Sequence, residues 1–572
     1  MSSGATVTPR GVLVIAAAFL LCSGCLWIVR QQTRPHYRLS AQGAIAAARA
    51  NPTDRAFLST HATDRARVIP LDASLQRVTF FDGNEVVLDA AVGEHGEVRA
   101  LELHVAGAPA SGAALANSPW ILALLSGVFL LATMVIPLRR LRNLDALMLA
   151  SLTITVPLIN ARLVAPSVIC ATVALSYLMI RCLSVGVRGA SPAAPPSRPL
   201  LDWLCTGWEP RRRTRLLGAL VLATALVFAM ITLTSSGYTD VAAASLAGAT
   251  DLLHGMLPYG HIQLAVHGDT YPLLNYLMYV PGALWLPVSD SFSDLSGSLP
   301  TAALAGLLVG PALYLLASNR DTGPRAGDPG PDRGLRAMLA WFAFPPVVLA
   351  ASGGSNDLLL AACMTWMLAL RKRPGASMLL LVMGVWIKLV PLILLAIWIP
   401  YRRRDLPRAC MAAAALCVAL TALLFAYGGA GGISAMLGAL TFQLHRGSFF
   451  APWYTFEVHW LQPLVQAGVL AALLGAVLVL RAAPSIRTDP IRVSAIAGAL
   501  LLGVQLAANY WTWSYLPWVF PFVLVALFMA GGPRPATAPG TAGGSRRSHE
   551  ERRRRASRER PLERPARASS AA

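Results

Sequence analysis

Runs of apolar residues long enough to cross a bilayer recur along most of this chain, and they limit the fold more than any other feature. A helical crossing needs roughly 20 apolar residues. Apolar runs lie at about 11–29, 119–138, 144–160, 163–181, 216–234, 272–288, 301–317, 337–353, 357–370, 376–400, 409–427, 461–480, 492–508 and 515–530. The basic Arg371 to Arg373 cluster implies that one of the four between 272 and 370 is re-entrant or interfacial rather than a full crossing. With 55% hydrophobic and 13% charged residues among 572, the balance is not that of a soluble globule. An outer-membrane barrel would show short alternating segments instead. The expectation is an all-α polytopic membrane protein of about 11–13 membrane segments.

Charge orients this chain. The net charge of +20 comes largely from arginines at the ends of apolar runs: Arg139 and Arg140, Arg211 to Arg215, Arg371 to Arg373, and Arg402 to Arg404. That distribution follows the rule that cytoplasmic loops are basic. No aromatic platform or nucleic-acid-binding motif accompanies it, so nucleic acid is not an expected partner. The Arg-, Pro- and Gly-rich tail, 531–572, suits contact with anionic membrane lipids. The eight cysteines form no disulfide framework, and most lie in or beside apolar runs as buried thiols.

These signals divide the chain as follows. Residues 1–30 form an uncleaved anchor and 31–117 a small extracytoplasmic α+β domain. Residues 118–182 form three transmembrane helices, 183–215 a basic cytoplasmic loop, and 216–530 the main membrane module before the tail. Within 31–117, Ser40 is placed to cap a helix over Ala41 to Ala50. Strands are expected at Val78 to Phe81, Val86 to Val92 and about Val98 to Val105, with Asp82-Gly83-Asn84 as a hairpin turn. This helix-then-strands order resembles the small PepSY-type extracytoplasmic domain.

One polar segment interrupts the main module. It runs from Gly237-Tyr238-Thr239-Asp240 through Pro258-Tyr259-Gly260-His261 to Gly268-Asp269-Thr270-Tyr271-Pro272. Parity and charge put Asp240 on the outer face, at the start of a helix, Val241 to Met256, that reads as interfacial. Asp240 can serve as a general base, as a cap, or as both. Tyr259 and Tyr271 can stack on sugar rings or anchor at the interface, and His261 can hydrogen-bond a sugar. The histidines lack zinc spacing, so no metal is expected. Lys388 is one of only two lysines among 48 basic residues, and it lies inside the apolar run 376–400. A charge at that depth needs a polar cavity or a partner, a lipid phosphate or a carboxylate. Basic clusters at both ends of that run suggest two half-helices with a tip near Trp386 to Pro391. Asp357 either lines the same cavity or caps a helix, and Arg446 is a second candidate phosphate ligand.

At these residues the chain resembles the GT-C superfamily of integral-membrane glycosyltransferases. It looks most like the bacterial branch that uses polyprenyl-phosphate mannose as donor. The resemblance rests on Tyr238-Thr239-Asp240, Gly255-Met256-Leu257-Pro258-Tyr259, Tyr271-Pro272-Leu273-Leu274, Ser355-Asn356-Asp357-Leu358-Leu359 and Ile387-Lys388-Leu389-Val390-Pro391. It covers about 216–530. It implies Asp240 as catalytic base, and a polyprenyl-phosphate sugar as donor. It also implies a lipid- or glycan-linked acceptor, no cofactor, and a place in the bacterial inner membrane. Val241 stands where that family often has an aromatic, which leaves the branch and the sugar open. The competing class is a transporter or lipid flippase, which predicts inverted repeats with paired broken helices. The sequence shows no such symmetry.

Overall fold

The structure, a computed structural model, describes residues 37–529 apart from 71–74, 84, 104–117, 161–162, 189–197, 236–238, 261, 263–268, 287–294, 319–329, 399–402, 446, 449, 483–487 and 511. The expected anchor at 11–29 and the basic tail lie outside the described residues, as do Tyr238, His261, His267 and Arg446.

The N-terminal unit is α+β. Helix α1 (Ala41–Ala50) starts at Ser40, whose side chain accepts a hydrogen bond from the Gly43 backbone N–H. Helix α2 (Pro52–Leu58) follows at once, capped by Asn51. Strands β1 (Arg65–Pro70), β2 (Leu75–Asp82), β3 (Glu85–Gly93) and β4 (Val98–Leu103) form an antiparallel sheet in sequence order. Gly83, with φ +56°, makes the β2–β3 turn. Ala44, Ala48, Val78, Phe80, Leu88, Ala90 and Val92 form the core between helix and sheet. The expected helix and three strands are present. Helix α2 and β1 are additions, since 52–58 and 65–70 carry too weak an apolar period to announce themselves.

Asp54 is buried in this unit, and neither carboxylate oxygen has a hydrogen-bond partner. Desolvation pushes its carboxyl up from 3.8 to about 6. The folded state therefore holds a proton that the unfolded state releases between about pH 4 and 6. Stability contributed at low pH should be lost as pH rises through that window, by about 1–3 kcal/mol. Hydrogen exchange of 41–58 in the full protein should speed up from pH 4 to 6 beyond its intrinsic pH dependence. Asp54→Asn should flatten that excess; an unchanged excess would refute the assignment.

Apart from a short antiparallel pairing of Val135–Ile136 with Arg198–Pro199, the rest is mainly helical. Its longer helices are α3 (Pro119–Thr133), α4 (Leu141–Ser151), α5 (Val164–Arg188), α6 (Pro210–Leu233), α7 (Asp240–Leu253), α8 (Leu273–Trp285), α9 (Leu299–Ser318), α10 (Gly330–Ala343), α11 (Pro345–Ser352), α12 (Asp357–Ala369), α13 (Pro374–Ile387), α14 (Leu406–His445), α15 (Gln462–Ala482), α16 (Pro490–Ala507) and α17 (Leu516–Phe528). Among the described residues, six helices are long and apolar enough to cross a membrane. A seventh is possible if α10 and α11, bent by 54°, are one span. This architecture is compatible with a helical polytopic membrane protein.

The count is lower than hydropathy suggests because backbone breaks divide several apolar runs. Pro345 begins α11 directly after the bend. The run 376–400 splits at Lys388 to Pro391, where the sequence placed a tip, into α13 and the short helix Leu392–Trp398. Helices α3, α12, α13 and the segment ending at Phe528 are apolar but shorter than a full crossing.

Helix α16 packs against α5 and α17, and α12 packs against α9, α13 and α17. Their core includes Phe129, Phe344, Trp341 and Phe520. The basic ends are more than a topology signal. Arg181 makes two bonds to buried Asp145, at 2.8 and 3.0 Å, and Tyr177 donates to the same carboxylate. Arg213 meets buried Asp332 at 2.6 Å, and Arg336 meets Asp202 at 3.0 Å. Several arginines are thus consumed in structural pairs.

Candidate functional site

Three helix starts and breaks converge around the turn 353–356. The first is the start of α7. Thr239 is its N-cap, with its side chain accepting from the Ala242 N–H. The Thr239 backbone N–H and hydroxyl both donate to the Gly353 carbonyl, each at 3.0 Å. Asp240 is the first helical residue, exposed, and its Oδ1 accepts from the Val241 N–H at 2.9 Å. A carboxylate is favoured in this first turn by the helix dipole.

Helix α7 is more enclosed by protein than its sequence suggests: Ala242 to Ala249 and Leu252 are buried. Its run of alanine, serine and glycine lets other helices approach closely. A Cβ on Gly248 would overlap the Tyr276 ring. The α7 leucines sit within an all-round small-residue surface, which suits burial between helices.

The second element is the turn itself. Gly354 has φ +68°, and Tyr279 donates to its carbonyl at 3.0 Å. A Cβ there would lie 2.9 Å from the Ala242 Cβ and would clash with Ser298. Gly354→Ala should therefore displace the turn from Thr239. We expect a cost of at least about 1–3 kcal/mol from backbone strain alone, read as a lower unfolding midpoint in detergent. An unchanged midpoint would show that the turn tolerates a side chain. Behind it, Asn356 donates to Asn275 Oδ1 at 2.7 Å and Asn275 donates to Ser245 at 3.0 Å. These buried amides tie α12, α8 and α7 together. The Asn356 Oδ1 is buried without a hydrogen-bond partner.

The third element is the break after α13. Lys388 is extended, with φ −156° and ψ 134°. Its Nζ lies 2.7 Å from Asp357 Oδ1 and 4.3 Å from the Tyr515 ring centre. Asp357, wholly buried at the start of α12, also accepts from Trp518 Nε1 at 2.9 Å and Ser355 Oγ at 2.7 Å. The carboxylate thus has three donors, and the ammonium has a carboxylate and a π face. The lysine side chain is 13% exposed. Of its two sequence alternatives, phosphate or carboxylate, the carboxylate is the partner seen.

Asp357 and Lys388 are therefore in contact, and Asp240 is one residue from hydrogen bonds to Gly353, four residues before Asp357. Tyr259 and Tyr271 go elsewhere. Both rings are buried, packed edge-on against Tyr276, and the Tyr259 hydroxyl donates to the Tyr271 carbonyl at 3.2 Å. They fasten the polar loop to α8, with both rings enclosed by protein. Asp269 holds that loop further, accepting from the Gly260 N–H at 3.0 Å. In the sequence Ser355 figures only within the motif 355–359, with no role of its own, and Trp518 and Tyr515 carry no signal. Tyr515 and Trp518 come from the far end of the chain, and only the fold brings them here.

No protein-family model, curated protein or solved structure matches this chain.

Proposed function

We propose that the chain is a membrane glycosyltransferase that moves a mannose-like sugar from a polyprenyl-phosphate donor to an acceptor hydroxyl. The observation that carries the reading is the Thr239–Gly353 lock. It fixes an exposed carboxylate, Asp240, against the turn that leads to the buried Asp357–Lys388 pair. In this reading Asp240 takes the proton from the acceptor hydroxyl as the oxygen attacks the anomeric carbon. The bond from that carbon to the phosphate oxygen breaks, and the lipid phosphate leaves with its charge. Lys388 lies at the helix break to stabilise that charge, while Asp357 and Tyr515 hold the ammonium in place. Because Asp357 neutralises Lys388, further positive charge must come from elsewhere, and Arg446 is the proposed source. The side of reaction is the outer face of a bacterial inner membrane. Purified protein given a polyprenyl-phosphate sugar and acceptor should release lipid phosphate. No release across a panel of such donors would sink the proposal.

One observation favours a second reading, a transporter or flippase. Two interrupted helices, at 353–356 and 388–391, meet through a buried ion pair, as coupling sites in transporters do. Proteoliposomes would separate the two readings, since a transporter moves its substrate across the bilayer with no glycosidic bond broken.

A further inference from the structure

The sheet domain and the helical body meet at a built junction. Arg67 of β1 donates through Nη1 to the carbonyls of Tyr454 (3.3 Å) and Thr455 (3.0 Å), and its Nη2 lies 3.1 Å from Glu457. Glu457 has φ +57°, the single non-glycine residue in the left-handed region among those described. Such strain persists only where neighbours impose it, and it concentrates at functional sites. Ile69 and Phe81 of the sheet pack with Val164 and Val168 of α5 beside these contacts.

A half-open cavity of about 300 Å³ lies at this seam. Its charged lining is Arg65, Arg67 and Glu457; its apolar lining includes Phe81, Phe456 and Val164. Both guanidinium groups lie over the Phe81 ring, 5.0 and 5.8 Å from its centre. Val164 and Ala165 open α5, a 25-residue candidate membrane span. At 1.5 Å per residue that helix is roughly 37 Å long, against a hydrocarbon core of roughly 30 Å. One end of it therefore reaches headgroup depth. The cavity's place, size and charge pattern fit a ligand with one anion, one cation and an apolar continuation.

We propose that this cavity binds the headgroup of an aminophospholipid. The phosphate is taken by Arg65, which also donates to the Gly83 carbonyl, and by Arg67, and the primary ammonium by Glu457. That carboxylate is 64% exposed and holds Arg67 through one oxygen, Oε1, so it can accept a second donor. The acyl chains leave along the apolar start of α5. The bound lipid would then add to the Arg67 contacts that join the sheet domain to the 452–457 segment. This assignment does not depend on the glycosyltransferase reading.

The test uses the full-length protein in detergent, stripped of lipid, with binding measured by native mass spectrometry. Phosphatidylethanolamine, phosphatidylcholine and phosphatidylglycerol are compared. Phosphatidylethanolamine should bind roughly tenfold more tightly than the other two, the scale of one charge-assisted hydrogen bond. Glu457→Gln should erase that preference, and Arg65→Gln should weaken all three lipids. Both side chains are exposed enough for the variants to fold. Equal binding of the three lipids, or a preference that survives Glu457→Gln, would overturn the assignment. Soluble phosphoethanolamine or inorganic phosphate binding as tightly as the lipid would also overturn it, because the ligand would then be a free phosphate compound.

Discussion

Asp240→Asn should lower the turnover of the proposed glycosyl transfer by about 10²–10⁴-fold, the usual contribution of a positioned general base. The fold should barely register the change. Asp240 is exposed at the first position of α7, and the cap is supplied by Thr239, which the substitution leaves intact. Losing a negative charge in a first helical turn costs about 0.3–1 kcal/mol. Asparagine keeps the side-chain oxygen that accepts from the Val241 N–H, so the local backbone is preserved. The variant should elute and melt like the parent, bind donor lipid, and release lipid phosphate slowly. Thr239→Val is the matching control. It keeps the carboxylate but removes the hydroxyl that both caps α7 and reaches Gly353, so it should destabilise by about 1 kcal/mol. Full turnover in Asp240→Asn would dismiss Asp240 as the base, whatever else the protein proved to do.

Much of the framework was legible because bilayer-length apolar runs and basic helix ends follow from simple physics. Ser40 as a cap and the β2–β3 turn were legible for the same reason: each is a local rule with a local cause. The break at Lys388 to Pro391 could also be read, since a charge, a proline and two flanking basic clusters disagree with one straight span. What sequence could not supply was the closing of distance. Lys388 and Asp357 are 31 residues apart, and Trp518 is 161 residues from Asp357. No local pattern states that these side chains meet. The burial of α7 was hidden for a different reason. Its leucines recur at helical spacing, but the alanines and Gly248 between them are themselves packing surface, and burial of a small-residue face leaves no hydropathy signature. The burial of Tyr259 and Tyr271 was hidden for a related reason, because an aromatic beside a proline signals neither a wet face nor a dry one.

Lys388→Met alone should be strongly destabilising, and adding Asp357→Leu should restore much of the loss. The single change leaves a wholly buried carboxylate with only the Trp518 and Ser355 donors. Removing one partner of a buried pair costs about 3–5 kcal/mol, whereas replacing both with apolar groups of similar volume is often neutral. Asp357→Leu alone should likewise be costly, since it strands an ammonium beside Tyr515. Unfolding midpoints of the two singles and the double, in one detergent, measure the coupling directly. Additive losses would show that the pair is not a unit. The same three proteins separate structure from chemistry. A lysine that serves only the fold can be traded away with its partner, and the stable double variant would keep its transfer rate. A lysine that also meets the leaving phosphate cannot be traded. The double variant should then fold and still transfer at least about 10²-fold more slowly, the scale of losing one preorganised donor to developing charge. Recovery of stability together with recovery of transfer would assign Lys388 to the fold alone and move the search for the phosphate ligand to Arg446.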